Sequence, residues 1–346
     1  MLRATLSRPD FDGPTLPAAW DALAAPCRSP FLQWSWAGCL AARHRDPWLL
    51  TVQEAGSTVG GTVGGTVGLA LLGRTRSALG TTLHLNETGD RAADALFVEH
   101  NGIVSAPGRE PEMLAALFEV VRGRVVMSGV GDAWLAAARS AGGVVMPAQT
   151  RLAPFVRLDR PDTRSRNTRA QLARSNRSYG APLEVTRAVT AEEAQGFLDA
   201  MLPWHLESWR ARGVASGLAG APVQAFLRAL LQRAVPTGAV EMLRVSAGPR
   251  VLGYLLNLQA GGRVAAYASG FDYAGARPHE KPGLSSHAAA IVRAQAEGAV
   301  EYDFLAGDDR YKRSLGNDTR ALHWLAWQPL LSRFGAAAVA RRMLTR

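Results

Sequence analysis

The sequence predicts a mixed α/β (α+β) fold, built as two domains or as one domain with a large elaboration. Three observations carry that expectation. A length of 346 residues exceeds the usual size of one hydrophobic core. A balance of 47% hydrophobic and 20% charged residues belongs to a chain that buries a core. Strand and helix periodicities alternate along both halves, and residues 240–305 hold a three-strand meander followed by a helix and one more strand.

In the first half, residues 31–42 predict a helix with Ser29 as its cap and Pro30 at its first position. Residues 48–54 and 67–72 predict strands joined by a glycine-rich four-residue repeat over residues 56–68. No phosphate-loop lysine follows those glycines, so the repeat is expected to be a duplicated hairpin turn. Residues 95–98 predict a strand entering the polar turn Glu99-His100-Asn101-Gly102, and residues 112–121 an amphipathic helix behind Pro111. A strand at 124–128, a helix at 133–140 closed by Gly142 and Gly143, and strand material at 144–158 broken by Pro147 and Pro154 complete this half.

Residues 157–179 carry seven arginines, few large apolar residues and a Pro161-Asp162-Thr163 start signal, which predicts a solvated basic linker helix within 159–182. Helices follow at 191–202, 204–212 and 222–234. Strands at 240–246, 251–259 and 264–271 are separated by Gly248-Pro249 and Gly261-Gly262, an antiparallel meander signal. Lys281-Pro282-Gly283 opens a helix with Leu284, Ala288, Ile291 and Val292 on one face and Gly298 at its end. A mostly apolar strand at 299–305 is expected inside the sheet, with a covering strand at 321–327 and a basic amphipathic helix over 329–346. The expected domains are therefore 1–158, the linker helix 159–182, and 183–328, followed by the C-terminal helix.

A formal charge of +10 favours anionic partners, such as a nucleotide cofactor, RNA or an anionic membrane surface. The chain uses 37 arginines and only two lysines, Lys281 and Lys312, which bracket the passage where function is expected. No apolar run approaches the ~18 residues that span a bilayer, and the first residues lack the apolar core of a signal peptide. Cys27 and Cys39 have no metal-ligand spacing, so a reduced cytoplasmic setting and no metal are expected.

A meander that delivers a helix N-terminus to the end of a central strand creates an anion site beside splayed strands. The passage Tyr302-Asp-Phe-Leu-Ala-Gly-Asp-Asp-Arg-Tyr-Lys312, the Pro282-Gly283 helix start, Trp204-His205 with Trp209, and Glu99-His-Asn-Gly102 together resemble the CelD/BcsL-like branch of the GNAT superfamily. That branch is related to the FemA/FemB/FemX aminoacyl transferases. The resemblance covers roughly residues 28–328 and implies tandem GNAT-like domains, each a mixed, mostly antiparallel sheet flanked by helices. It also implies an N-acyltransferase whose catalytic core lies in the second half.

Acyl transfer to an amine needs a proton acceptor, a donor for the developing oxyanion and a cradle for donor phosphates. Asp303 and His205 compete as base or orienter, Lys312 suits charge stabilisation, and Tyr311 suits protonation of the leaving group. Lys281, Pro282, Gly283, Leu284 and Ser285, with Ser269 and Gly270 on the preceding strand, are the expected acyl-donor contacts. Trp204, Trp209, Glu99 and Asn101 are the expected acceptor contacts. The resemblance implies acyl-CoA, acetyl-CoA above all, as co-substrate, with a small-molecule or envelope-precursor amine as acceptor.

One departure bears on the donor. The family's glycine-rich pyrophosphate loop corresponds here to Arg277-Pro-His-Glu-Lys-Pro-Gly283, with Glu280 where the first glycine would lie. A carboxylate there repels a pyrophosphate unless Lys281 compensates, which keeps aminoacyl-tRNA or a carrier-bound acyl group open as donor. A non-catalytic binding module on the same fold is a further alternative. Oligomeric state is left open by the sequence.

Overall fold

Separate hydrophobic clusters, one around Leu72 and another around Leu243, organise the chain into two units. The computed structural model describes residues 2–11, 13–54, 65–162 and 164–344. The first unit comprises Met1–Arg151 with Ala321–Arg346, and the second Leu152–Arg320.

The elements of the first half are β1 (Leu2–Ser7), α1 (Thr15–Ala24), α2 (Trp34–Ala41), β2 (Pro47–Glu54), β3 (Thr66–Ser77), β4 (Gly80–Leu85), β5 (Val104–Ser105), α3 (Glu110–Val120), β6 (Arg124–Val130), α4 (Asp132–Ser140) and β7 (Val144–Arg157). Then come α5 (Arg166–Ser178), β8 (Leu183–Arg187), α6 (Ala191–Arg210), α7 (Ala221–Ala234), β9 (Val240–Ala247), β10 (Arg250–Ala260), β11 (Arg263–Phe271), α8 (Pro282–Ala296), β12 (Glu301–Asp303), α9 (Arg310–Leu315), β13 (Asp318–Gln328) and α10 (Arg333–Leu344).

In the first unit the strands run β1-β2-β3-β4-β6-β13, with β5 against β3. Alternation along β3 feeds two faces. Leu69 and Leu71 pack with Trp20 and Trp34 from α1 and α2, whereas Ala70 and Leu72 pack with Met113 and Leu117 of α3. In the second unit the order is β7-β12-β11-β10-β9-β8, antiparallel except for the β11–β12 pair. Leu243 and Val245 of β9 join Ala288, Ala290 and Ala294 of α8 in one core. Helices α6 and α7 also pack on this sheet, α6 against β9, β10 and β11 and α7 against β9.

Several local expectations give way to tertiary packing. Residues 30–32 form a 3-10 turn, and the helix begins only at Trp34, with no side-chain cap from Ser29. The expected strand at 95–98 is instead a 3-10 turn over Asp94–Leu96, in which the Asp94 carboxylate binds the Thr88 and Gly89 amides. Pro147 and Pro154 do not break β7, and Pro203 lies inside the single 20-residue helix α6. Thr163 lies outside the described residues, and α5 is capped by Ser165, whose hydroxyl accepts from the Thr168 amide at 3.1 Å. Most of the glycine-rich repeat, residues 56–64, also lies outside them. Lys312, just past the last strand of the second unit's expected core, is on the short helix α9.

Candidate active site

Strands β11 and β12 pair in parallel over only three positions, Arg263 to Ala265 against Glu301 to Asp303. Strand β11 then continues to Phe271, while the chain beyond Asp303 turns through Leu305, whose φ of 60° is left-handed, into α9. At this end lies a cavity of about 710 Å³. Phe271 and Tyr273 come to it from the end of β11, Lys281 and Leu284 from the start of α8, and Asp309 and Tyr311 from the start of α9. Trp204 and Glu207 of α6 and the following Arg212 close another side.

The lining is aromatic with a cationic bias. Arg212, Lys281 and Arg310 face it together with Glu207 and Asp309. The Glu207 carboxylate pairs with Arg210, and Arg212 lies 3.4 Å from Asp309 with its guanidinium over the Trp209 ring. Lys281 Nζ donates to Gln171 Oε1 of α5 at 2.9 Å.

Tyr311 stacks on His287 with ring centroids 4.8 Å apart. Burial pushes its hydroxyl pKa upward, so it keeps its proton at neutral pH. His287 is fully buried on α8. Burial, and then the charge of Lys312, lower its pKa to about 3, which leaves it neutral. Its Nδ1 lies within hydrogen-bond distance, 3.2 Å, of the Tyr302 hydroxyl, which burial holds protonated.

The start of α8 is fastened to α5. Ser175 Oγ accepts from the Lys281 amide at 2.8 Å and lies 2.9 Å from Ser285 Oγ, which in turn donates to Asn176. Gly283 is required by close approach, because a Cβ there would run into the Tyr273 hydroxyl and the Phe271 ring. Glu280 does not face a phosphate site as an unbalanced charge. Burial pushes its carboxyl up, but the Arg277 amide at 2.7 Å and the Arg250 guanidinium at 2.8 Å and 3.0 Å outweigh that and hold it below the usual carboxylate range.

Residues 166–313 match the family model of the acetyltransferase (GNAT) domain. The second unit carries this GNAT-domain match along most of its length. The whole chain also shares its fold with the crystal structure of FemX, at 12% identity and a TM-score of 0.60, over 92% of this chain and 96% of that one. The C-terminal domain of a protein assigned as a lysylphosphatidylglycerol synthetase from Agrobacterium fabrum is similar at 11% identity and a TM-score of 0.54, covering 94% of each chain. A conserved protein of unknown function from Bacteroides thetaiotaomicron gives 11% identity and a TM-score of 0.52, over 93% and 99%. No curated protein matches the sequence significantly. No helix among the described residues is long and apolar enough to cross a membrane.

Within the GNAT domain, Trp204, Lys281, Leu284 and Tyr311 line one cavity. Pro282, Gly283 and Ser285 are buried behind it in the first turn of α8. Ser269 and Gly270 lie at the end of β11, where a Cβ on Gly270 would meet the Met201 carbonyl of α6. His205 is buried on α6 with both ring nitrogens engaged. The Ser269 carbonyl can only accept, so Nδ1 donates to it at 2.7 Å, and burial, which lowers the pKa, leaves Nε2 to accept from Ser216 Oγ at 2.8 Å. Trp209 packs beside His205, with ring centroids 5.8 Å apart.

Asp303 and Lys312 are buried and do not line the cavity. Asp303 accepts from the Leu305 amide at 2.7 Å, with Arg263 and Arg320 each 4.0 Å from its other oxygen. Lys312 Nζ donates to the Leu305 and Ala306 carbonyls at 3.3 and 2.9 Å. Glu99 and Asn101 belong to the first unit. There Asn101 donates to the Leu85 carbonyl and accepts from Asn86, both at 2.8 Å, which joins two loops.

The sequence reading missed Arg212, Phe271, Tyr273, Arg310 and His287. Phe271-Asp-Tyr273 straddles the end of the strand expected at 264–271, and that position was the available signal for two of them.

Proposed function

We propose that the GNAT domain transfers an acyl group from an acyl-CoA to an amine by direct attack in the cavity between the ends of β11 and β12. The observation that carries this reading is the convergence of Lys281, Arg212 and Arg310 with four aromatic rings in one cavity at the start of α8. Cations there suit donor phosphates, and Trp204, Phe271 and Tyr311 suit a short acyl group.

In this reading the amine nitrogen forms a bond to the acyl carbonyl carbon, and the carbon–sulfur bond of the thioester then breaks. Tyr311, which retains its proton, donates to the departing thiolate sulfur, and the proton lost by the amine leaves by way of the cavity-facing Glu207 or Asp309. Asp303, Lys312 and His205 act as positioning residues. The first two shape the loop beyond β12, and His205 fixes the end of β11 through the Ser269 carbonyl. The internal pairing of Glu280 with Arg250 supports coenzyme A as donor, because the carboxylate is already neutralised within its own turn.

One observation favours a second reading, an aminoacyl-tRNA donor. Arg166, Arg169, Arg174 and Arg177 are exposed along α5, whose Gln171 lines the same cavity. Equilibrium binding separates the two. Saturable binding of acetyl-CoA, lost in Lys281→Glu, is expected for the first. Binding of charged tRNA that weakens steeply with salt, without acetyl-CoA binding, would replace it with the second. Failure of both ligands to bind at low salt would leave the non-catalytic binding module.

A further inference from the structure

The first unit holds a cavity of about 720 Å³ that the proposed chemistry does not use. One side of it is apolar. Phe118 of α3 and Trp327 of β13 stack with ring centroids 3.9 Å apart, and Leu83 of β4 and Phe334 of α10 complete the lining around them.

The charges at this cavity are of one sign. Arg74, Arg122 and Arg333 line it, and no carboxylate is among the described residues that do. Asp46 holds Arg74 at 2.5 Å, and Arg333 donates to the Ala78 carbonyl. Arg122 is exposed and has no hydrogen bond or ion pair to any described residue. A guanidinium left unpaired at an apolar cavity is the arrangement that recognises an anionic head group.

The lip is apolar where water would favour polar residues. Leu79 stands at the tip of the β3–β4 hairpin, a position that usually takes Asn, Asp or Gly, and is 44% exposed. Leu331, also on the lining, is fully exposed, and its neighbour Leu330 is 56% exposed.

We propose that this cavity binds an anionic amphiphile, an alkyl chain ending in a phosphate or carboxylate. The chain lies along the stacked Phe118–Trp327 wall, and the head group pairs with Arg122. A peptide helix fits less well, since at about 10–12 Å across and 5.4 Å per turn it would place little more than one turn in this volume.

Calorimetric titration of the full chain with hexyl, octyl, decyl and dodecyl phosphate, each below its micelle concentration, tests the proposal. Affinity is expected to rise about fourfold per added methylene until the chain fills the cavity. Inorganic phosphate is expected to give no binding heat, and Arg122→Glu and Leu331→Asp each to weaken decyl phosphate binding at least tenfold. Both substituted side chains are exposed, so an unchanged melting temperature is the accompanying control.

Co-sedimentation with phosphatidylglycerol and phosphatidylcholine vesicles distinguishes the source. Recruitment to the anionic vesicles alone, lost in Arg122→Glu, supports a bilayer lipid, and alkyl phosphate binding without recruitment supports a free amphiphile. Affinity independent of chain length, decanol binding as tightly as decyl phosphate, or an Arg122→Glu variant that binds like the wild type would overturn the proposal. None of these readouts depends on acyl transfer.

Discussion

Asp303 and Lys312 grip the same backbone residue from its two sides. The Asp303 carboxylate takes the Leu305 amide at 2.7 Å, and Lys312 Nζ takes the Leu305 carbonyl at 3.3 Å and that of Ala306 at 2.9 Å. Leu305 is left-handed at φ 60°, a conformation that costs a residue with a Cβ about 1–2 kcal/mol. The two charged side chains hold the turn that carries the chain from β12 into α9, and so set where Tyr311 stands.

Asp303→Asn and Lys312→Met are each expected to lower unfolding free energy by about 2 kcal/mol, the scale of a buried hydrogen bond to a charged group. Because both act on one residue, the double variant is expected to depart from additivity by at least about 0.5 kcal/mol. Urea denaturation of the four proteins measures this. Strict additivity would mean that the two contacts are independent.

Tyr311→Phe removes one oxygen and keeps the ring on His287. If Tyr311 donates the proton to the leaving group, kcat is expected to fall about 100-fold with little change in KM. Steady-state kinetics with acetyl-CoA and an accepted amine measures it, and an unchanged kcat would remove Tyr311 from the chemistry.

Glu280→Gln separates repulsion from support. The paired carboxylate is expected to contribute about 1–3 kcal/mol to stability, and its loss to leave acyl-CoA affinity within twofold of the wild type. A variant that bound acyl-CoA many times more tightly would show that the carboxylate opposes the donor after all. Thermal denaturation and a binding isotherm supply the two numbers.

Glu87 makes stability depend on pH in the first unit. Burial raises its pKa from an ordinary 4.5 to about 8, although Ser128 donates to it at 2.7 Å. Between those values the unfolded chain has released a proton that the native state keeps, so stability falls as pH rises, by about 1.4 kcal/mol per unit. Glu87→Gln abolishes that slope. The stability of the variant relative to the wild type is expected to grow steadily from pH 5 to pH 8, and a constant difference would refute the assignment. His287 acts in the opposite direction, because below pH 6.5 the unfolded chain takes up a proton that the native state refuses down to about pH 3.

Much of the GNAT domain was legible in the sequence because its signals are local. Gly248 and Gly261-Gly262 turn the meander, and Lys281-Pro282 starts α8, where the expected helix lies. The site was half legible. Trp204, Lys281, Leu284 and Tyr311 converge, whereas Asp303 and His205 bear polar signals that fold-internal bonds absorb. The partners that decide such cases come from distant strands. Arg250 neutralises Glu280 from 30 residues away, and Arg263 and Arg320 reach Asp303 from β11 and β13. Helix α9 escaped notice because its six residues are mostly polar, with Lys312 and Leu315 alone buried.

Hydrogen–deuterium exchange with and without saturating acetyl-CoA tests the central claim most directly. Donor binding in the cavity between β11 and β12 is expected to slow exchange at residues 271–285 and 309–314. No protection there, or protection confined to residues 2–151, would contradict it.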